Sequence, residues 1–298
     1  MASSTLGELN RSYWKYPLLF PSFLFPPLSR ILLTLDSTNA DAAFNQKWVQ
    51  TLVHQITDYI QTHVGWIGVA PATSNAPVTM LDYACGNGVA SRVSRTTRSG
   101  CDPTNSDEAL APYVTTIRGI DVSDVMVKKY NDAARMQSLS EQQMHAVQGD
   151  LLVPPGKAPE ALKTEDLYDF DVIVMSMALH HVEDPQQMTT RLVERLRDGG
   201  SILIIDWAPG PSGGQDMLHQ NHHQTHSTYQ HEHDGGHQQD MQGAKQTVSR
   251  SGFDKKEMDK ILKDAGCSEV DYVFHPQLSK LPSEFGGEKQ LFFARGKK

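Results

Sequence analysis

The stretch Met80-Leu81-Asp82-Tyr83-Ala84-Cys85-Gly86-Asn87-Gly88-Val89-Ala90 constrains this chain more than any other. It reads as a short apolar strand ending in an acid, followed by a tight glycine turn that opens into a helix. Gly86 and Gly88 lack side chains where the backbone must turn sharply and let a ligand approach its N–H groups. Asp82, at the strand end, is placed to accept hydrogen bonds from a ligand's ammonium group, directly or through water. The spacing departs from the dinucleotide pattern G-x-G-x-x-G, because position 84 is Ala and position 91 is Ser.

The elements around this turn alternate. Residues 41–63 predict a helix with Trp48, Leu52, Ile56 and Tyr59 on one apolar face. A linker over 65–77 precedes a first strand, Val78 to Asp82, and a helix from Val89 to Thr97. A polar insertion covers 98–111. Val114 to Asp121 is a second strand, and Ser123 caps a helix running to about Gln137. Met144 to Val147 is a third strand, and residues 154–167 form a loop or short helix. Phe170 to Ser176, nearly all apolar, fits a central strand covered on both faces. Asp184-Pro185 starts a helix that stops at Gly199-Gly200, and Ser201 to Trp207 is the fifth strand. Asp254-Lys255-Lys256-Glu257 opens a last helix that ends at Gly266. Two late strands follow, Val270 to Phe274 and Gln290 to Ala294. Such alternation makes a parallel sheet with helices on both faces, with its ligand at the carboxyl ends of the strands.

The motif Met80 to Gly88 resembles the first motif of class I S-adenosylmethionine-dependent methyltransferases, with Ala84 in place of a usual Gly. Gly119-Ile120-Asp121-Val122-Ser123, the pair Gly149-Asp150, and Ala178-Leu179-His180-His181-Val182-Glu183-Asp184-Pro185 extend the resemblance to the small-molecule branch. That branch includes ubiquinone and menaquinone C-methyltransferases and microbial and fungal natural-product enzymes. The resemblance runs from about Val78 to Trp207, with weaker support to Ala294. It implies an α/β Rossmann-like, mostly parallel seven-stranded sheet whose last strand is antiparallel. It also implies a methyltransferase domain over 78–298, with 1–77 as an arm and helix covering the site.

S-adenosyl-L-methionine is the implied cofactor. Asp121, closing the second strand, takes the ribose hydroxyls; its distance from the glycine turn exceeds the usual ~20 residues because of the polar insertion. Asp150 is placed for the adenine amino group and the Leu151 N–H for a ring nitrogen, with Gly149 before them. Val122 and Met126 sandwich the base. Ala84, Asn87, Ser176 and Met177 complete the implied cofactor contacts.

His180, His181 and Asp206 are the candidate catalytic residues. In related O-methyltransferases the first His of such a pair and the acid at the Asp206 position help deprotonate a hydroxyl; a carboxylate orients an imidazole for that task. The structural alternative makes the two histidines helix-entry residues. DNA amino-methylating enzymes carry Asn/Asp-Pro-Pro-aromatic where this chain has Ser176-Met177-Ala178-Leu179, and protein-arginine enzymes need two glutamates where only Glu183 stands. The resulting expectation is methyl transfer to a small-molecule hydroxyl. A second reading is a methyltransferase-fold regulatory or scaffold subunit acting through a partner protein.

A formal net charge of −8 argues against a general nucleic-acid binder, which needs a basic surface. Cys85, Cys101 and Cys267 have no metal-type spacing and suit a reducing, cytoplasmic setting. Leu18 to Leu35 is apolar but broken by Pro21, Pro26, Pro27 and Arg30, so stable membrane insertion is not expected. The aromatic N-terminal arm suits packing over the domain, or a homodimer or heteromer contact. Seven histidines between His219 and His237 lie in a polar insertion, 210–246, read as a disordered loop. Adventitious metal binding there is the alternative; no catalytic metal site is expected.

Overall fold

The computed structural model describes residues 46–69, 77–91, 110, 113–210 and 248–298. Five strands come first: β1 (Thr79–Tyr83), β2 (Thr116–Asp121), β3 (Met144–Gln148), β4 (Phe170–Ser176) and β5 (Leu196–Trp207). They are mutually parallel. β6 (Glu269–Phe274) and β9 (Leu291–Lys297) complete a seven-stranded sheet of order β3-β2-β1-β4-β5-β9-β6. β9 runs antiparallel to both its neighbours, so the antiparallel strand sits inside the sheet and β6 is the edge. A two-stranded hairpin, β7 (Ser279–Lys280) with β8 (Glu288–Lys289), interrupts the β6–β9 connection.

Alternate residues of the central strands serve opposite faces, as strand periodicity requires. Ile173 and Met175 of β4, with Ile202 and Ile204 of β5, pack with α4 (Pro185–Val193) and α5 (Lys255–Asp264). Val172, Val174, Leu203 and Ile205 face the other way, toward α1 (Lys47–Thr62) and α3 (Asp124–Met136). A short α2 (Val64–Ile67) follows α1. Each fully buried Ile or Leu of these layers contributes about 1.5–3 kcal/mol, which is why the sheet is a rigid base for the loops at its end.

Local signals start the helices. Ser123 Oγ accepts the Met126 N–H, Asp184 Oδ1 the Gln187 N–H at 2.9 Å, and Asp254 Oδ1 the Glu257 N–H at 2.8 Å. Some expected bounds move. α4 stops at Val193, before the glycines, because Leu196 already pairs with Phe170; β5 therefore begins well before Ser201. Gly199, at φ 76°, bends the chain inside that stretch. Residues 86–91 form turns where a helix from Val89 was expected, and 92–97 lie outside the described residues. The insertions 98–111 (apart from Leu110) and 211–247, including all seven clustered histidines, and the arm before Gln46 also lie outside them. Among the described residues, no helix is long and apolar enough to cross a membrane.

Candidate active site

A cavity of about 620 Å³ opens at the carboxyl ends of β1, β2, β4 and β5. The strand order lays out its wall. Asp150 follows β3, Asp121 ends β2, Asp82 lies in β1, Ser176 and Met177 end β4, and Trp207 ends β5.

The β1 turn is built under strain. Ala84 holds φ 55° and Met177, at the end of β4, φ 54°, both in the left-handed region that L residues occupy at a cost of about 1–2 kcal/mol. Gly86, at φ 49°, has open space where a Cβ would stand, on the cavity wall. Gly88 has φ 82°, and a Cβ there would meet Tyr130 at 3.3 Å. Tyr130 is buried beneath the turn; its hydroxyl donates to Ser91 Oγ at 2.7 Å, and Ser91 donates to Asp82 Oδ2 at 2.5 Å. Asp121 braces the same turn: Oδ2 accepts the Gly86 N–H and Oδ1 the Ser123 N–H, each at 2.9 Å.

Asp82, Asp121 and Asp150 have no basic partner among the described residues. Burial lifts Asp82 to about 7, opposed by the Ser91 hydrogen bond and reinforced by the charge of Asp121. Burial likewise lifts Asp121 to about 6, against the N–H groups of Ser123, Gly86 and Val122. Buried carboxylates without a cation favour a ligand that brings positive charge or hydroxyl donors. Two further cavity-wall atoms, Asn87 Oδ1 and Ser176 Oγ, are buried and lack a hydrogen-bond partner. Val122 and Met126 also line the cavity.

Not every expected contact reaches the wall. Gly88, Gly149 and Leu151 stand behind it. A Cβ on Gly149 would collide with Leu162 Cδ2 at 2.4 Å, so its bareness serves packing. The Leu151 N–H donates to the Tyr83 hydroxyl at 3.3 Å, which engages the group expected to meet a ring nitrogen.

His180 and His181 lie on a single turn after β4 and line the cavity, their rings 4.1 Å apart. Asp206, fully buried in β5, sits behind them. Its Oδ1 lies 2.7 Å from His180 Nδ1 and accepts the Trp207 N–H at 2.7 Å; its Oδ2 accepts the His180 N–H at 3.1 Å. Ser249 ties down the His180 carbonyl through its N–H at 2.8 Å and its hydroxyl at 2.7 Å. A carboxylate at Nδ1 selects the Nδ1–H tautomer and leaves Nε2 as a proton acceptor.

The far wall joins the helix expected to cover the site to a hairpin that was not expected. Trp48, Leu52, Val53 and Ile56 of α1 face Leu281 and Phe285 of the β7–β8 hairpin across the cavity mouth, and Trp48 stacks on Phe285 at 5.5 Å. Ser279 Oγ donates to Gln55 Oε1 at 2.8 Å, fastening hairpin to helix. Lys289, Arg250 and Trp207 complete this end. The periodicity of α1 announced its apolar face, but the hairpin falls between the two expected late strands, where no element was expected.

Residues 51–270 match a family model described as a methyltransferase domain. Over 146 residues the chain is 32% identical to an uncharacterized methyltransferase of Schizosaccharomyces pombe, a match covering 49% of this chain and 43% of that protein. It thus spans less than half the length of this curated relative. Magnesium protoporphyrin IX methyltransferase from Synechocystis PCC 6803, solved with bound S-adenosylmethionine, has a similar fold, with TM-score 0.51, 16% identity and 99% coverage of each chain. The CurJ carbon methyltransferase gives TM-score 0.50 at 12% identity, over 87% of this chain and 58% of its own.

Proposed function

This chain belongs to the methyltransferase-domain family, whose methyl donor is S-adenosylmethionine, and we propose that it methylates the hydroxyl of a small molecule. One observation carries the reading. A single cavity joins acids that have no basic partner among the described residues to a carboxylate-held histidine at its other end.

The acid end suits the donor. Asp82 would hold its ammonium group, Asp121 its ribose hydroxyls and Asp150 its adenine amino group, with Val122 and Met126 flanking the base. The orphaned Asn87 and Ser176 oxygens would find donors there. When bound, S-adenosylmethionine supplies an electrophilic methyl group on a positively charged sulfur that leaves as a neutral thioether. The chain's own work is mostly positioning, together with proton removal. His180 Nε2 accepts the proton of the acceptor hydroxyl, and Asp206 keeps the ring oriented through Nδ1. The proton then passes from His180 to solvent.

No observation favours the regulatory or scaffold reading, or a homodimer or heteromer through the N-terminal arm. Calorimetry with S-adenosylhomocysteine tests the proposal. A single site is expected, and Asp121→Ala should weaken it by about 1.5–3 kcal/mol through lost charge-assisted hydrogen bonds. No binding to the parent overturns the reading; equal binding by the variant removes Asp121 from the site.

A further inference from the structure

The cavity is electrically divided, and strand order makes the division. Asp150, Asp121 and Asp82 lie on the β3-β2-β1 side of β4. On the β5 side stand His180, His181, Arg250 and Lys289, with Glu183 the one acid on the wall there among the described residues. Arg250 is neutralised by its ion pair with Glu257 and is laid over the Phe253 ring at 4.8 Å. Lys289 is different. It is half-buried, its ammonium lies 5.5 Å from the centre of the Trp207 ring, and it has no ion pair among the described residues. Burial works against its charge, and the Asp206 carboxylate behind Trp207 offsets part of that. A half-buried ammonium over an aromatic face favours an anion or an ionisable hydroxyl beside it.

The surroundings of Lys289 fix the rest of the ligand's character. Trp48, Phe285, Trp207, Leu281 and Ile56 make this end apolar and largely aromatic. Such a wall suits a flat ring system, not a sugar with many hydroxyls to satisfy.

We propose that the acceptor is a planar, largely apolar molecule with an acidic hydroxyl, a phenol or conjugated enol, whose oxygen is held as an anion by Lys289. This inference rests on the methyltransferase reading and narrows its substrate class. Lys289 acts as a specificity-determining residue: it stabilises the oxyanion that His180 generates when it takes the hydroxyl proton. The oxygen's electron pair then forms the new O–C bond, while the pair of the breaking S–C bond stays on sulfur, so charge and atoms balance. An aliphatic alcohol would gain far less from Lys289, because its oxygen carries little negative charge before methyl transfer.

The test uses the full chain saturated with S-adenosylhomocysteine and two probes, 7-hydroxycoumarin and its non-ionisable 7-methyl ether. The hydroxyl form reports its own ionisation by absorbance and fluorescence. Bound to the parent, it should titrate about one unit or more below the free compound. It should also bind about tenfold tighter than the ether. Lys289→Met should abolish both effects while S-adenosylhomocysteine affinity stays unchanged; Lys289→Arg, which keeps the charge, should retain most of the shift. The inference is overturned if the cofactor-bound parent binds neither probe, shows no shift, or keeps its shift in Lys289→Met. Absence of S-adenosylhomocysteine binding is a separate result that overturns the methyltransferase reading, and this inference with it.

Discussion

Asp206 grips His180 at two points, its ring and its backbone: Oδ1 lies 2.7 Å from Nδ1 and Oδ2 accepts the His180 N–H at 3.1 Å. The double hold sets the ring's tautomer and its direction together. His180→Ala should lower turnover by about 10²–10⁴-fold with cofactor affinity nearly unchanged. Asp206→Asn, which can still accept the His180 backbone N–H but not both of the Oδ1 contacts to the ring and to the Trp207 N–H, should cause a loss of similar order. Steady-state kinetics paired with calorimetry checks both, and parent-like turnover in His180→Ala would leave the pair a structural role only.

The two buried acids make stability depend on pH in an unusual direction. Asp82 and Asp121 sit at about 7 and about 6 in the folded chain against an unfolded value of 3.8. The folded state therefore binds their protons more tightly. Their contribution to stability is full below about pH 4 and is lost as pH rises through 6 to 7. The free protein should melt at a higher temperature at pH 5.5 than at pH 8, and Asp82→Asn should flatten the difference. Cofactor binding to the ionised acids should release protons near pH 6.5, visible as calorimetric heats that vary with buffer ionisation enthalpy. Heats that do not depend on the buffer would contradict the assignment of these acids to the cofactor.

Ala84 occupies a conformation that glycine adopts freely. Ala84→Gly should stabilise the free protein by roughly 0.5–1 kcal/mol, the relief of left-handed strain less the added chain entropy. Ala84→Val, with a branched Cβ at positive φ, should destabilise it by about 1–3 kcal/mol. Denaturant melts of the two variants should therefore shift in opposite directions.

Trp48 and Phe285 close the far wall through one stacked contact between α1 and the hairpin. Trp48→Ala removes a contact of about 0.5–1.5 kcal/mol beyond its buried area. The acceptor KM should rise by about threefold to tenfold while S-adenosylhomocysteine affinity holds, because the acids that would bind the cofactor stand at the ends of β1, β2 and β3 and not on α1. Equal KM values would place the acceptor elsewhere.

The fold was legible because its signals are local. The continuous apolar run of β4, the Ser123, Asp184 and Asp254 caps and the glycine turn each declare their element over a few residues. Asp121 and the His180–Asp206 pair could be picked out because topology places strand ends side by side. What escaped depends on distant contacts. Tyr130 carries no motif of its own in the sequence, yet its hydroxyl reaches through Ser91 to Asp82. Gly149 and Leu151 read as cofactor contacts, and the sequence did not show that Gly149 also packs on Leu162 or that the Leu151 N–H meets the Tyr83 hydroxyl. Lys289 had no pattern at all; only the fold of the hairpin brings it over Trp207.

Methyl transfer itself is the most direct test of the account. The full chain, incubated with methyl-labelled S-adenosylmethionine and a small-molecule extract rich in phenols, should move label into low-mass, apolar products. Alkaline stability of the label should identify an ether rather than an ester, and His180→Ala should remove most of the signal. Label confined to protein or nucleic acid, or no transfer by a chain that binds S-adenosylhomocysteine, would contradict it.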